Sequence, residues 1–116
     1  MIIKKQYNLE ERTAKLGESV IKLCKTLKQD TISKPIISQI IRSSTSIGAN
    51  YCEANGASSR KDFKNKIFIC KKEAQETKHW LRMLVACNLE NREECRKLWQ
   101  ETQELSRALT APGGAG

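Results

Sequence analysis

The sequence is poor in aromatic residues and in proline: six of its 116 positions are Phe, Trp or Tyr, and two are Pro. So few aromatics speak against a β-sandwich or barrel, whose strands draw on aromatic and β-branched side chains. Long apolar runs are missing too. No window approaches the roughly 18 apolar residues of a spanning helix. The opening MIIKKQYNLEER turns to charge after its third residue, unlike the apolar stretch of a signal peptide. A cytoplasmic protein with no membrane contact is therefore expected. There is one histidine, His79, and no Cys-x-x-Cys pair. The five cysteines (Cys24, Cys52, Cys70, Cys87, Cys95) are odd in number and widely spaced. That pattern reads as reduced thiols serving as small apolar residues, not as a disulfide framework or zinc site. A phosphate-binding GxxxxGK[ST] loop is absent as well.

What is present is helical periodicity, in four segments that fit one domain. Over about 8–28, Leu9, Thr13, Leu16, Val20, Leu23 and Leu27 alternate spacings of four and three, which keeps them on one face. Asn8 followed by Glu11 resembles a capping box. Over about 35–54 the face is Ile36, Ile37, Ile40, Ile41, Ser44, Ile47 and Tyr51, with Ser33 as the cap and Asn55-Gly56 as the stop. Over about 59–87, Ser59 and Asp62 repeat the capping pattern, and Phe63, Ile67, Cys70, Ala74, Thr77, Leu81 and Leu84 make a sustained heptad. Over about 90–109 the face is Cys95, Leu98, Thr102, Leu105 and Leu109. Residues 110–116 (TAPGGAG) read as a flexible tail. Four amphipathic segments with short breaks predict an all-α, antiparallel, up-and-down four-helix bundle.

The formal net charge is +8, which favours an anionic partner. From Val85 onward, four basic residues meet five acidic ones, so the excess lies in the first three helices. In helix one, Glu11 with Lys15 and Glu18 with Lys22 have the i,i+4 spacing of ordinary surface pairs, and Glu93 with Lys97 repeats it in helix four. Helix three differs. With Phe63 at heptad position d, Lys64, Lys71 and Lys78 fall at e, and Lys61 and Arg82 at the adjoining b. None of the five has an acidic residue three or four positions away, whereas Lys66 has Asp62 and Lys72 has Glu76. An unpaired cationic row suits the phosphate backbone of a nucleic acid. It also suits plain solvation or an acidic protein partner. Phe68, at b between Lys64 and Lys71, offers a ring to stack on an unpaired base or to pack against another helix or subunit.

No catalytic constellation can be built around the single histidine. Glu76-x-x-His79 has the spacing of a di-iron bundle element, but such sites need two of these elements directed inward, and here both residues fall outward. Neither a metal site nor a cofactor is expected. Arg42, Asn50, Glu53 and Glu73 read instead as a structural polar network between helices or subunits, of the kind that fixes register.

Four strings together carry a family resemblance: R-S-S-T-S-I-G-A-N at 42–50, E-A at 53–54, S-S-R-K-D-F at 58–63 and K-E-A-Q-E-T-K-H-W-L at 72–81. The chain resembles the four-helix-bundle family of 23S rRNA intervening-sequence proteins, which is related to the accessory variability proteins of diversity-generating retroelements. The resemblance is strongest from Gln39 to Leu84. It implies assembly into a homo-oligomeric barrel, commonly a pentamer, with a basic surface suited to RNA or DNA. It implies no catalytic residues. Relatives encoded beside reverse transcriptases bind that enzyme as well as nucleic acid. Two functional expectations follow. One is a non-enzymatic oligomer that binds nucleic acid, RNA before DNA, through Lys61, Lys64, Phe68, Lys71, Lys78 and Arg82. The other is a scaffold that docks an acidic protein such as a reverse transcriptase.

Overall fold

The structure is a computed structural model that describes residues 9–110. The expected cap at Asn8 and the tail from 111 onward lie outside the described residues. Four helices account for nearly all of the described chain: α1 (Leu9–Thr26), α2 (Ser33–Asn55), α3 (Arg60–Cys87) and α4 (Arg92–Thr110), with one 3-10 turn at Leu89–Asn91. No strand occurs among the described residues.

The apolar periodicity decides which faces turn inward. Of the positions read from the repeat, Leu9, Thr13, Leu16, Val20 and Leu23 of α1 are buried, as are Ile67, Cys70, Ala74, Thr77, Leu81 and Leu84 of α3. Cys95, Leu98, Thr102, Leu105 and Leu109 of α4 join them, whereas Leu27, Ile36, Ile41 and Phe63 are only half-buried at the edge of the core. Each large aliphatic side chain so enclosed contributes about 1.5–3 kcal/mol of burial. The buried threonines cost little, because each hydroxyl donates to a carbonyl of its own helix: Thr13 to Glu10 at 3.0 Å, Thr77 to Glu73 at 2.9 Å, Thr102 to Leu98 at 2.7 Å.

Packing is most extensive between α2 and α3, followed by α3–α4, α1–α2 and α1–α4. The backbones of α1 and α3, and of α2 and α4, come nowhere within 8 Å between Cα atoms among the described residues, so these pairs stand diagonally. Pairings across the seams run in opposite directions. Lys66 meets Glu53, the Cys70 thiol meets the Ile47 carbonyl, and Thr77 meets Ser43. The bundle is therefore antiparallel and up-and-down. At 28 residues α3 is the longest helix, and its length of about 42 Å matches the long dimension of 44 Å.

The helix ends differ from the sequence reading where side chains compete for backbone. Helix α2 begins before Pro35, and Ser33 is not its outer cap. The Asp30 carboxylate accepts the N–H groups of Ser33 (2.8 Å) and Ile32 (3.0 Å), while the Ser33 hydroxyl accepts the Asp30 N–H at 3.0 Å. Ser33 also donates to the Lys28 carbonyl at 2.9 Å, and α1 stops at Thr26 instead of running to Lys28. At α3 the Ser59 hydroxyl accepts the Asp62 N–H at 3.0 Å, so Ser59 is the cap and not the first helical residue. Asn88 accepts the Glu90 N–H at 3.1 Å and folds 89–91 into the 3-10 turn, which delays α4 to Arg92. Thr110 belongs to α4, its hydroxyl donating to the Ser106 carbonyl at 2.8 Å. No helix among the described residues is long and apolar enough to cross a membrane.

Candidate nucleic-acid interface

The heptad on α3 fixes where its cations go. Positions a and d are spent on the core, so the e positions flank the seam with α4. Lys71 and Lys78 accordingly line a cleft of about 540 Å³ with Gln75 of α3 and Gln103, Ser106, Arg107 and Thr110 of α4. No carboxylate lines it. Toward the start of α3, Lys64 and Lys71 border a smaller hollow with Phe68, which is 59% exposed. Lys61 and Arg82 are exposed farther along the same helix. Among the described residues none of the five expected cations forms an ion pair; the carboxylates find partners elsewhere or stand apart.

Lys78 is the most constrained of the row. Its ammonium donates to Gln103 Oε1 and lies 5.1 Å from the centroid of the Trp99 ring. A cation over an indole face keeps its full charge while losing freedom. The two contacts hold the ammonium in one place.

Arg107 belongs to this cleft, and the sequence reading missed it. Glu104, three residues before it, looks like its partner along one helix. In the bundle Glu104 instead reaches across to Arg12 of α1 at 3.6 Å, beside Glu101 at 3.1 Å. The α1–α4 seam turns Glu101 and Glu104 toward α1 and leaves Arg107 without an ion-pair partner among the described residues. The surface pairs expected along single helices are redistributed as well. Neither Glu11–Lys15 nor Glu18–Lys22 closes to an ion pair, and Glu93 pairs with Arg96 rather than Lys97. Lys66 takes Glu53 at 2.7 Å rather than Asp62. Lys72 loses Glu76 to Arg42 and adds another exposed cation to α3.

The four residues expected to form one polar network separate into three arrangements. Arg42 binds Glu73 at 3.1 Å and also contacts Glu76 and Gln39. Burial works against the Arg42 charge, but the two carboxylates outweigh it and raise its pKa. Glu53 is held by Lys66, and the Asn50 side chain donates to its own helix at the Ser46 carbonyl, 2.9 Å away. Glu76 is engaged by Arg42, and the exposed His79 ring lies edge-on to Trp80 with centroids 4.9 Å apart. Among the described residues no three His, Cys, Asp or Glu side chains gather as a metal site would require.

A model of one protein family, described as 23S rRNA-intervening sequence protein, matches residues 5–111. The chain belongs to that family. A crystal structure from Bacteroides thetaiotaomicron, of a protein with unknown function from the S23 ribosomal protein family, is similar at 33% identity and a TM-score of 0.77. The match covers 87% of this chain and 94% of that one. No curated protein matches the chain. The strings that carry the family resemblance have a common physical use in the bundle. Arg42 and Ser43 on α2, and Glu73, Glu76 and Thr77 on α3, are joined across the most extensive helix seam. These contacts orient α3, and with it the basic cleft.

Proposed function

We propose that this family member is a non-enzymatic nucleic-acid-binding protein whose ligand is RNA, held by its phosphates on the α3–α4 face. The observation that carries this reading is the convergence of Lys71, Lys78 and Arg107, from two helices, in one cleft with no carboxylate. Gln75, Gln103, Ser106 and Thr110 add neutral donors among the cations, and backbone phosphates take both kinds of contact. Lys64, Lys61 and Arg82 extend the row along α3 over more than four turns. Such a surface neutralises charge without reading bases, so affinity is electrostatic and weakly sequence-dependent. The family is described by sequences that intervene in 23S rRNA, which makes RNA the first ligand to test.

The test is binding of labelled single-stranded RNA and duplex DNA as salt is raised, for the full chain and for Lys78→Glu/Arg107→Glu. Three to five phosphate contacts give a log–log salt slope of about −2 to −3.5 on single strands, at about −0.7 per contact. The variant, checked for an unchanged helical spectrum, flattens that slope by about 1.4 or more, which corresponds to two lost contacts. RNA ignored at low salt, or bound equally well by the variant, refutes the assignment. Retention of an acidic protein in place of RNA marks the scaffold function instead.

A further inference from the structure

The α3–α4 face carries two aromatic rings as well as its cations. Trp99 of α4 is partly exposed and already has the Lys78 ammonium over it. Phe68 of α3 is the more exposed of the two, and it makes neither a ring–ring nor a cation–ring contact among the described residues. A lone exposed apolar side chain is ordinary on a protein surface. What sets Phe68 apart is the hollow of about 280 Å³ that it borders, lined also by the buried Ile67 and Leu109, by Lys64 and Lys71, and by Thr110. The hollow is smaller than the roughly 300–1,000 Å³ of a pocket for a drug-sized ligand, and it suits one flat ring system. Lys64 and Lys71 lie one helical turn before and after Phe68, so a ring laid on the phenyl has a cation on either side. Lys71 and Thr110 also line the larger cleft of Lys78 and Arg107. Hollow and cleft therefore adjoin, and a strand whose phosphates follow the cleft reaches the hollow directly.

Given phosphate binding in the cleft, on which this inference rests, we propose that the Phe68 hollow takes one unpaired base and makes the face selective for single-stranded RNA over duplex. Charge and stacking pull in opposite directions here. On charge alone a double helix is the better ligand. Its two strands crowd the phosphates, and each contact releases more condensed counterion, about 0.9 per phosphate for B-form DNA against about 0.7 for a single strand. A stacking ring reverses that order. The bases of a duplex are paired and stacked inside, and bringing one out costs free energy. A single strand offers its base faces without that cost. Every base has such a face, so the hollow selects the form of the strand and not its sequence. Lys64 and Lys71 keep the same role as the rest of the row, holding the phosphates on either side of the stacked nucleotide.

The test measures binding of the full chain to a single-stranded RNA and to an RNA duplex of the same length, over a range of salt. Wild type is expected to prefer the single strand. Phe68→Ala, with an unchanged helical spectrum, weakens single-strand binding about fivefold or more, the lower end of what one base–aromatic stack contributes. It leaves duplex binding and both salt slopes as they were. Phe68→Leu keeps the apolar bulk without the ring and behaves like Phe68→Ala, whereas Phe68→Trp keeps the single-strand preference. A strand of abasic sugars with the same phosphates binds wild type and Phe68→Ala equally. Lys78→Glu/Arg107→Glu instead flattens the salt slope on both ligands, so cleft and hollow fail separately. A normal slope with no single-strand preference in wild type sinks the hollow alone, and RNA ignored at low salt sinks both. Wild-type affinity in Phe68→Leu also overturns the inference. So does an equal loss on both ligands in Phe68→Ala with a changed mass in light scattering, which assigns the ring to packing between molecules.

Discussion

Helix α3 is oriented by a polar contact inside the core, and its contribution can be worked out from the positions of two protons. Ser43 and Thr77 are both fully buried. Thr77 has one hydroxyl proton and two acceptors within reach, Ser43 Oγ and the Glu73 carbonyl, each at 2.9 Å. Ser43 can exchange its proton with the Thr77 hydroxyl, but without Thr77 it has only the Ile40 carbonyl, at a stretched 3.4 Å. The two residues are therefore not equivalent. Thr77→Val keeps the shape but leaves the Ser43 oxygen against a methyl group, which costs about 1–2 kcal/mol for a buried group left unmatched. Ser43→Ala lets Thr77 turn fully to Glu73, so only a modest bond and a small void are lost, about 0.5–1 kcal/mol. The double variant has no orphan group and costs about as much as Ser43→Ala alone, less than the sum of the single changes by about 1 kcal/mol or more. Urea unfolding followed by helical circular dichroism, at one protein concentration and with a shared m-value, reads these differences as midpoint shifts. Equal costs for the two single variants, or a strictly additive double, refute the proton assignment.

Two further outcomes follow from the titrating groups. The Asp30 carboxyl is held below its ordinary value of 3.8, chiefly by the Ser33 N–H and also by the Ile32 N–H. Its contribution is complete above the unfolded value and fades as pH falls through the folded one, so urea midpoints drop as the pH is taken below 3.8. Asp30→Asn flattens part of that fall, and a variant with an unchanged acid limb contradicts the capping account. Burial pushes the thiols of Cys24, Cys70 and Cys95 up to about 11. In dilute protein at pH 8 and high salt, Cys52 is therefore expected to react first with a thiol reagent and half-buried Cys87 more slowly. The three buried thiols react only on unfolding, and five equal rates would show that the core is open.

The contrast between fold and site is clearest on α4. Its core face, Cys95 to Leu109, was legible because burial follows a period that one helix already contains. Arg107 was not legible, because the decisive fact is that Glu104 turns to Arg12 on another helix. Charge pairing along a single helix proved a poor guide on α1 and α3. Lys66 and Lys72 both have acids nearby in sequence, but Lys66 pairs across to Glu53 and Lys72 loses Glu76 to Arg42, while Glu93 stays on its own helix and takes Arg96 instead of Lys97. The cap of α2 was misplaced by three residues for a related reason. Asp30 and Ser33 share one reciprocal bond pattern, and a sequence shows both candidates without ranking them.

The sequence by itself determined four amphipathic helices, their order and the stripes they bury, because apolar periodicity and turn chemistry act within a few residues of one another. Tertiary structure alone decided which cations remain without counter-charges. A long ionic side chain can choose among partners on several helices, and the packed seams make that choice. The same seams bring Lys71 and Lys78 of α3 and Arg107 of α4 into one cleft, a grouping that no single helix contains.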